Sequence, residues 1–433
     1  MLRRTLLLAA GWLLLAPLTA AAEFRAGSAT ANITPPLGQD VIGGFVNSPS
    51  TNIHDELHAR CLVLEQGDTR LALVVCDLLG IHRAVSEEAR RTIAEQTGIP
   101  RENVLISATH THSASSALGS NRFSHKQELD EYQRFVVGRI ADGVAMAARR
   151  LEPAELAYGS IQVPEHVFNR RWLMTPGTVP TNPFGGSDLV KMNPPAGSPN
   201  LVEPAGPVDP ELSFLAIRSV EGKPIALYAA YGLHYVGGVP AGDISADYFA
   251  LFCKRLEQKL GAEEADRPFT ALLANGTSGD VNNINFREPR GKRQPYEQMR
   301  FVAHDLADRT LAALEGLEYR REVPLAARYR EPVIGYRRPT EEELAWAEKT
   351  LEAGPTRPGD LPYIYAERVM RLKEYPADDT LPVQVLRIGE VCLGSLPCEV
   401  FTEIGLDFKS RARLRPAFLV SLGHGYYGYL PTP

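Results

Sequence analysis

Along most of this chain, apolar runs rich in β-branched residues alternate with segments of helical periodicity. The spacing predicts a buried strand over 71–78, a helix over 85–96 that Gly98 stops, and a second strand over 103–109. Leu129, Tyr132, Phe135, Val136, Ile140 and Val144 recur at helical spacing, and that helix ends before Pro153. Further strands are predicted over 213–220, 226–231, 269–273, 383–388 and 418–422. Further helices are predicted over 246–260, 299–314 and 341–353. Strands that alternate with helices predict an α/β fold. At 433 residues the chain is long enough for one large domain or two.

The first residues read differently. Arg3 and Arg4 precede an apolar run over 6–18, and Thr19-Ala20-Ala21-Ala22 follows. Those are the charged, apolar and small-residue regions of a secretory signal peptide. The run is shorter than the ~20 residues a membrane span needs, and no Cys follows it to carry a lipid anchor. The expectation is a signal peptide over 1–22, cleavage near Ala22, and a periplasmic or secreted protein over 23–433. The net charge of −6 becomes more negative when the two arginines leave, and no basic stretch argues for nucleic acid. Five cysteines leave at least one thiol free in an oxidising compartment. Cys61, Cys76 and Cys253 sit among apolar neighbours. Cys392 and Cys398 on one extended strand would lie ~20 Å apart, beyond the ~7 Å Cα limit for a disulfide. No disulfide is expected, and no metal-type Cys-x-x-Cys is present.

The predicted strand over 103–109 runs into Ser107-Ala108-Thr109-His110-Thr111-His112-Ser113. Side chains two apart on a strand share a face, so both imidazoles can face one cleft. Imidazole suits zinc and other first-row metals, and a hydrolytic metal centre is the leading reading. The same pattern also occurs where two half-buried histidines are satisfied by hydrogen bonds, and the pair alone leaves both readings open.

Four more polar segments close apolar strands, where α/β sites form. His234 ends Tyr231-Gly232-Leu233-His234. Glu399 ends Leu396-Pro397-Cys398-Glu399, ahead of a helix around 401–408. Asn275-Gly276-Thr277-Ser278-Gly279-Asp280-Val281-Asn282-Asn283 follows a third strand, and His424-Gly425-Tyr426-Tyr427-Gly428-Tyr429 the last. Singly, each has a structural explanation: a core histidine, a carboxylate on a helix dipole, a turn, packed tyrosines. Residues 175–210 stand apart as a long irregular segment rich in proline and glycine, either a binding loop or an idle insertion.

Two metal-hydrolase patterns are excluded. A metallo-β-lactamase site needs His-x-His-x-Asp-His, and here Ser113-Ala114-Ser115-Ser116 follows His112. Calcineurin-like phosphoesterases carry Gly-His-x-His late in the chain, after Gly-Asp and Gly-Asn-His blocks. Here the histidine pair precedes Gly279-Asp280, and Gly-Asn-His is absent.

The order of segments resembles the neutral (non-lysosomal) ceramidase family, in its N-terminal catalytic domain. Gly27-Ser28-Ala29-Thr30-Ala31-Asn32-Ile33-Thr34-Pro35-Pro36 looks like that family's opening, and 103–113 is close to its most diagnostic segment. Asn169-Arg170, His234, Ser245-Ala246-Asp247, Gly279-Asp280-Val281, Pro397-Cys398-Glu399 and Tyr426-Tyr427-Gly428-Tyr429 follow in the family's order, so the likeness spans about residues 25–433. It implies mixed β-sheets flanked by helices and a Zn²⁺ held by His110, His234, Glu399 and Tyr429. It implies that His112 is an active-site histidine off the metal, that Arg170 binds a polar substrate group, and that Asp280 serves the catalytic machinery, with Asp247, as support. The activity implied is hydrolysis of the N-acyl amide of ceramide-like lipids by a metal-activated water. Tyr429 would ligate the metal or stabilise the developing oxyanion. The implied partners are a small lipid or N-acyl substrate and, peripherally, membrane lipid.

The chain also departs from the family. Asn282 stands where family members carry a serine implicated in catalysis, and a carboxamide is no hydroxyl nucleophile. Asn282 and Ser278 are therefore read as substrate-binding. The glycine-rich stretch after the histidine pair is missing. The family's further site tyrosine and its C-terminal immunoglobulin-like domain have no counterpart in these residues, and one catalytic domain is expected over 23–433. Two other readings stay open: a zinc hydrolase for a different amide or ester, and a non-catalytic exported protein with a degenerate site.

Overall fold

The computed structural model describes residues 23–44, 47–119, 128–260 and 268–432. The expected signal peptide over 1–22 lies outside them. The first half of the chain builds strands β1 (Phe24–Asn32), β2 (His58–Gln66) and β3 (Thr69–Cys76), helix α1 (Arg83–Thr97), β4 (Val104–Ala108), α2 (Glu131–Arg149) and β5 (Glu152–Gln162). Next come the short strands β6 (Arg171–Met174), β7 (Val190–Met192) and β8 (Leu201–Pro204), then β9 (Glu211–Ser219), β10 (Pro224–Tyr231) and α3 (Asp247–Lys259). The remainder supplies β11 (Thr270–Asn275), α4 (Glu297–Ala313), β12 (Leu325–Arg330), α5 (Glu341–Ala353) and α6 (Leu361–Glu374). It closes with β13 (Val383–Ile388), β14 (Val391–Ser395), α7 (Thr402–Arg411) and β15 (Ala417–Val420).

Local chemistry sets the helix ends. Gly98 stops α1 at φ 73°, a left-handed position that costs glycine little. Asp130 and Gln133 form a reciprocal capping box at the start of α2. Eight strands make one sheet in the order β11-β10-β9-β5-β1-β2-β3-β4. Most neighbours are antiparallel, while β3–β4 and β10–β11 are parallel. A second sheet has the order β12-β13-β14-β15. The expected α/β architecture of mixed sheets and flanking helices is what the chain adopts.

Three apolar layers hold it. Val63, Val74 and Ile106 pack against Val85, Ile93, Val136 and Ile140 of α1 and α2. Leu62, Leu73, Leu105 and Tyr228 pack against Leu386, Ile388, Leu393 and Phe418 of the second sheet. Phe214, Leu227 and Leu273 pack against Phe249, Phe252, Val302 and Leu306 of α3 and α4. Each such side chain contributes roughly 1.5–3 kcal/mol by leaving water.

The large sheet curls until its ends meet. Asn275 Nδ2, at the end of β11, donates to Thr109 O just past β4 at 2.9 Å. The segment after β15 is wedged in beside them, with Ser421 N on Asn275 O at 2.9 Å and Ala108 N on Leu422 O at 3.3 Å. The carboxyl ends of β4, β10 and β11 therefore gather at one place.

Some expectations change. Residues 175–210 are not wholly irregular: β7 and β8 flank β6 in a three-stranded sheet. Lys191-Met192 and Val202-Glu203-Pro204 carry little strand signal, and the pairing comes from backbone groups that β6 satisfies. Strand β1 escapes periodicity because Ala, Ser and Gly fill it, and the reason is packing: a Cβ on Gly27 would stand 2.3 Å from Ala147 O of α2. Helices α5 and α6 form a hairpin with its own small core of Ala347, Ala366 and Val369. Phe184, at the tip of the 175–189 loop, lies against Trp346 and Tyr365 of that hairpin, with ring centroids 5.0 and 5.6 Å away. All five cysteines are free.

Candidate metal centre

His110 leaves the end of β4 at φ 69°, a backbone conformation that needs support in any residue but glycine. The turn after β3 supplies it. His110 N donates to Leu78 O at 2.9 Å, and His110 Nδ1 lies 2.6 Å from Leu79 O. A carbonyl only accepts, so Nδ1 carries the proton and Nε2 presents its lone pair. His234, three residues past β10, repeats the device with Nδ1 3.0 Å from Ser278 O. His112 is half-buried and stacks on Tyr235 at 3.8 Å between ring centroids. Its backbone is approached so closely by Gly43 that a Cβ there would stand 2.7 Å from His112 Cβ.

Ligand nitrogens of His110, His112 and His234 all lie within 4.8 Å of one another. Glu399 completes the group, with Oε2 3.3 Å from His110 Nε2 and 3.8 Å from His234 Nε2. Its Oε1 accepts from Tyr426 OH at 2.8 Å. Glu399 and Tyr429 face each other in a short parallel pairing, and Arg170 Nη2 donates to Tyr429 OH at 3.1 Å. His112 Nε2, His234 Nε2 and Glu399 Oε2 are buried with no hydrogen-bond partner among the described residues. Orphaned acceptor atoms such as His234 Nε2 and Glu399 Oε2, which both face His110, are costly unless a cation joins them. Imidazole nitrogens plus a carboxylate oxygen are the donor set that zinc and similar ions take, so these residues fit a metal.

The electrostatics agree. Burial pushes the imidazoles of His234 and His112 well below the ordinary value, helped at His234 by Arg170. Both are therefore neutral, the form that ligates. Burial opposes ionisation of Glu399, and hydrogen bonds from Tyr426 and Tyr429 favour it. Burial and the neighbouring Glu399 push the Tyr429 phenol up.

The other expected residues frame the cluster. Arg170 is buried, and Nη2 also donates to Gly279 O at 2.7 Å. Asp280 Oδ1 accepts from Thr402 N at 2.9 Å and Thr402 Oγ1 at 3.0 Å, and Oδ2 accepts from Asn169 Nδ2 at 2.9 Å. Its carboxylate thus fastens the turn after β11 to the start of α7 and to the segment that carries Arg170. Asp247 accepts from the backbone of Val236, Gly237 and Tyr248, which fixes the loop leaving His234. Ser278 lies on the Nδ1 side of His234, its hydroxyl donating to Asn275 Oδ1 at 2.7 Å. Asn282 Nδ2 donates to Asn193 Oδ1 at 3.0 Å, and its Oδ1 accepts from Ile284 N at 2.7 Å. Both side chains, expected to meet substrate, are engaged by the chain itself. Sequence reasoning missed Tyr426 and Tyr235. Tyr235 adjoins His234, which was a usable signal. Within 424–429 nothing local separates Tyr426 from its neighbours.

A model of the neutral/alkaline non-lysosomal ceramidase family, N-terminal region, matches residues 24–293. The crystal structure of neutral ceramidase from Pseudomonas aeruginosa is similar at a TM-score of 0.66 and 20% identity, covering 95% of this chain and 69% of that one. A solved ceramidase complexed with C2 is similar at 0.66 and 20%, covering 95% and 70%. At that identity the likeness is one of fold. The family match includes His110, His112 and His234 and stops short of Glu399, Tyr426 and Tyr429, which tertiary structure brings to the same point. On the match over 24–293, the chain belongs to the neutral/alkaline non-lysosomal ceramidase family.

Proposed function

We propose that this chain is an exported, zinc-dependent amidohydrolase that cleaves the N-acyl amide bond of ceramide-like lipids. The observation that carries the reading is the convergence of three imidazoles and Glu399, with His234 Nε2 and Glu399 Oε2 buried and without a hydrogen-bond partner among the described residues. Family membership supports the amide, and the nitrogen-rich donor set supports zinc. The charged, apolar and small-residue pattern over 1–22 supports export. Leu189, Met192 and Val202 support a lipid: they expose apolar surface on the segment whose Asn193 N donates to Arg170 O at 2.7 Å.

When bound, the ion polarises the scissile carbonyl and lowers the pKa of a water. The chain's residues do the rest. His110, His234 and Glu399 hold the ion, and Leu79 O, Ser278 O and Tyr426 OH orient them. His112, neutral and resting on Tyr235, accepts a proton at Nε2 and returns it to the leaving amine. Tyr429, gripped by Arg170, donates to the substrate oxygen as it gains charge.

The internal engagement of Asn282 favours a second reading, a related amide or ester in place of ceramide. Metal analysis of the purified chain with a panel of ceramides, other N-acyl lipids and esters tests both. The first reading expects about one zinc per chain and N-acyl lipids as the best substrates. Preference for esters supports the second, and absence of metal or of any turnover refutes both.

A further inference from the structure

Arg60 on β2 and Asp77, the residue after β3, form an ion pair through Arg60 Nη1 and Asp77 Oδ2, with side chains only 7% and 0% exposed. Asp77 Oδ2 also accepts from His58 N at 2.9 Å. Arg60 Nε and Asp77 Oδ1 are buried without a hydrogen-bond partner among the described residues. A buried pair with two unsatisfied atoms is a poor way to stabilise a core, since apolar side chains of similar volume do as well or better. Its position gives another reason for it. Asp77 opens the turn whose next two carbonyls, Leu78 O and Leu79 O, hold His110 N and His110 Nδ1. Those two contacts support His110 at positive φ, with Nε2 facing Glu399.

We infer that Arg60 and Asp77 are positioning residues for His110: their ion pair locks the 77–79 turn that sets the imidazole's tautomer and direction. The inference rests on the metal-centre reading. Neither side chain bonds to His110, His112, His234 or Glu399 among the described residues, so the effect travels through the backbone. Partners that orient a ligating histidine are typically worth about 10–100-fold in metal affinity.

The test compares Zn²⁺ affinity, by competition with a chromophoric chelator, in the wild type and in Arg60→Met, Asp77→Asn and Arg60→Lys, with circular dichroism and melting followed in parallel. Affinity should fall about 10–100-fold in the first two variants while secondary structure persists, and Arg60→Lys, which keeps the charge, should recover most of it. A merely structural pair would lower the melting temperature and leave the affinity of folded protein unchanged, which overturns the inference. Should the single variants fail to fold, the double variant Arg60→Met/Asp77→Asn leaves no uncompensated charge, and wild-type affinity there overturns it equally. A wild type that binds no zinc refutes the metal centre itself, an outcome distinct from wild-type affinity in a variant.

Discussion

Tyr426 OH donates to Glu399 Oε1 at 2.8 Å while Glu399 Oε2 faces His110 Nε2 at 3.3 Å. One carboxylate is thus split between a support and the metal site. Tyr426→Phe removes the support and keeps the ring. A hydrogen bond to a buried charged acceptor is worth about 1.5–3 kcal/mol. Metal affinity should fall roughly 10–100-fold, read by chelator competition, with the fold intact by circular dichroism.

The histidines should be unequal. His110→Ala or His234→Ala removes an imidazole fixed at Nδ1 by a carbonyl, and bound metal and turnover should both be lost, by metal analysis and assay. His112→Ala should retain metal and lose turnover by about 100-fold or more, as general acid–base catalysis contributes. Loss of metal in His112→Ala would make it a ligand instead.

Asn282 and Ser278 should not be nucleophiles. Asn282→Ala breaks the tie to Asn193 and should cost about 1 kcal/mol of stability while leaving measurable activity. Ser278→Ala should also leave turnover, since its hydroxyl faces Asn275. A trapped acyl-enzyme on Ser278, by mass spectrometry of the intact protein, would refute this.

The loop that carries Phe184 should influence substrate choice. Residues 190–192 and 201–204 belong to a sheet, so the tolerated deletion lies between Gly177 and Asp188. Shortening it removes the contact with Trp346 and Tyr365. The ranking of N-acyl substrates should change while the melting temperature moves little. An unchanged ranking would mark the loop as an idle insertion.

Asp247 should leave a signature in stability. Burial raises its carboxyl to about 6 from 3.8, although three backbone N–H groups oppose the shift. Between those values the folded protein keeps a proton that the unfolded chain has released. Its contribution, up to about 3 kcal/mol, is therefore full below pH 4 and lost as pH rises through 6. The buried neutral imidazoles of His112 and His234 move stability the opposite way over the same range, so the decline is read as the difference between wild type and Asp247→Asn in denaturant unfolding of metal-free protein between pH 4 and 7.

Much was legible in the chain because its causes are local. The run Val104-Leu105-Ile106 is a strand through its own side chains, and His110 and His112 are visible at its end. Gly98 stops α1, and Asp130 with Gln133 starts α2, through contacts within a few residues. Glu399 and Tyr429 could be singled out only through resemblance, since a carboxylate at a helix start and a tyrosine in a cluster carry no local mark of a shared site.

Tertiary structure decided the rest, because its causes lie across the chain. The large sheet curls until Asn275 reaches Thr109, and only then do the ends of β4, β10 and β11 share one edge. Periodicity reports which face a side chain takes, and it is blind to how far a sheet twists. The same holds for β7 and β8, which exist because β6 satisfies their backbone, and for Tyr426, chosen over Tyr427 by the path of a loop. The sequence by itself determined the elements and the histidine pair. The folded chain determined which distant groups complete the site, because a hydrogen bond or a coordination shell is fixed by distances of a few ångströms that no spacing along the chain encodes.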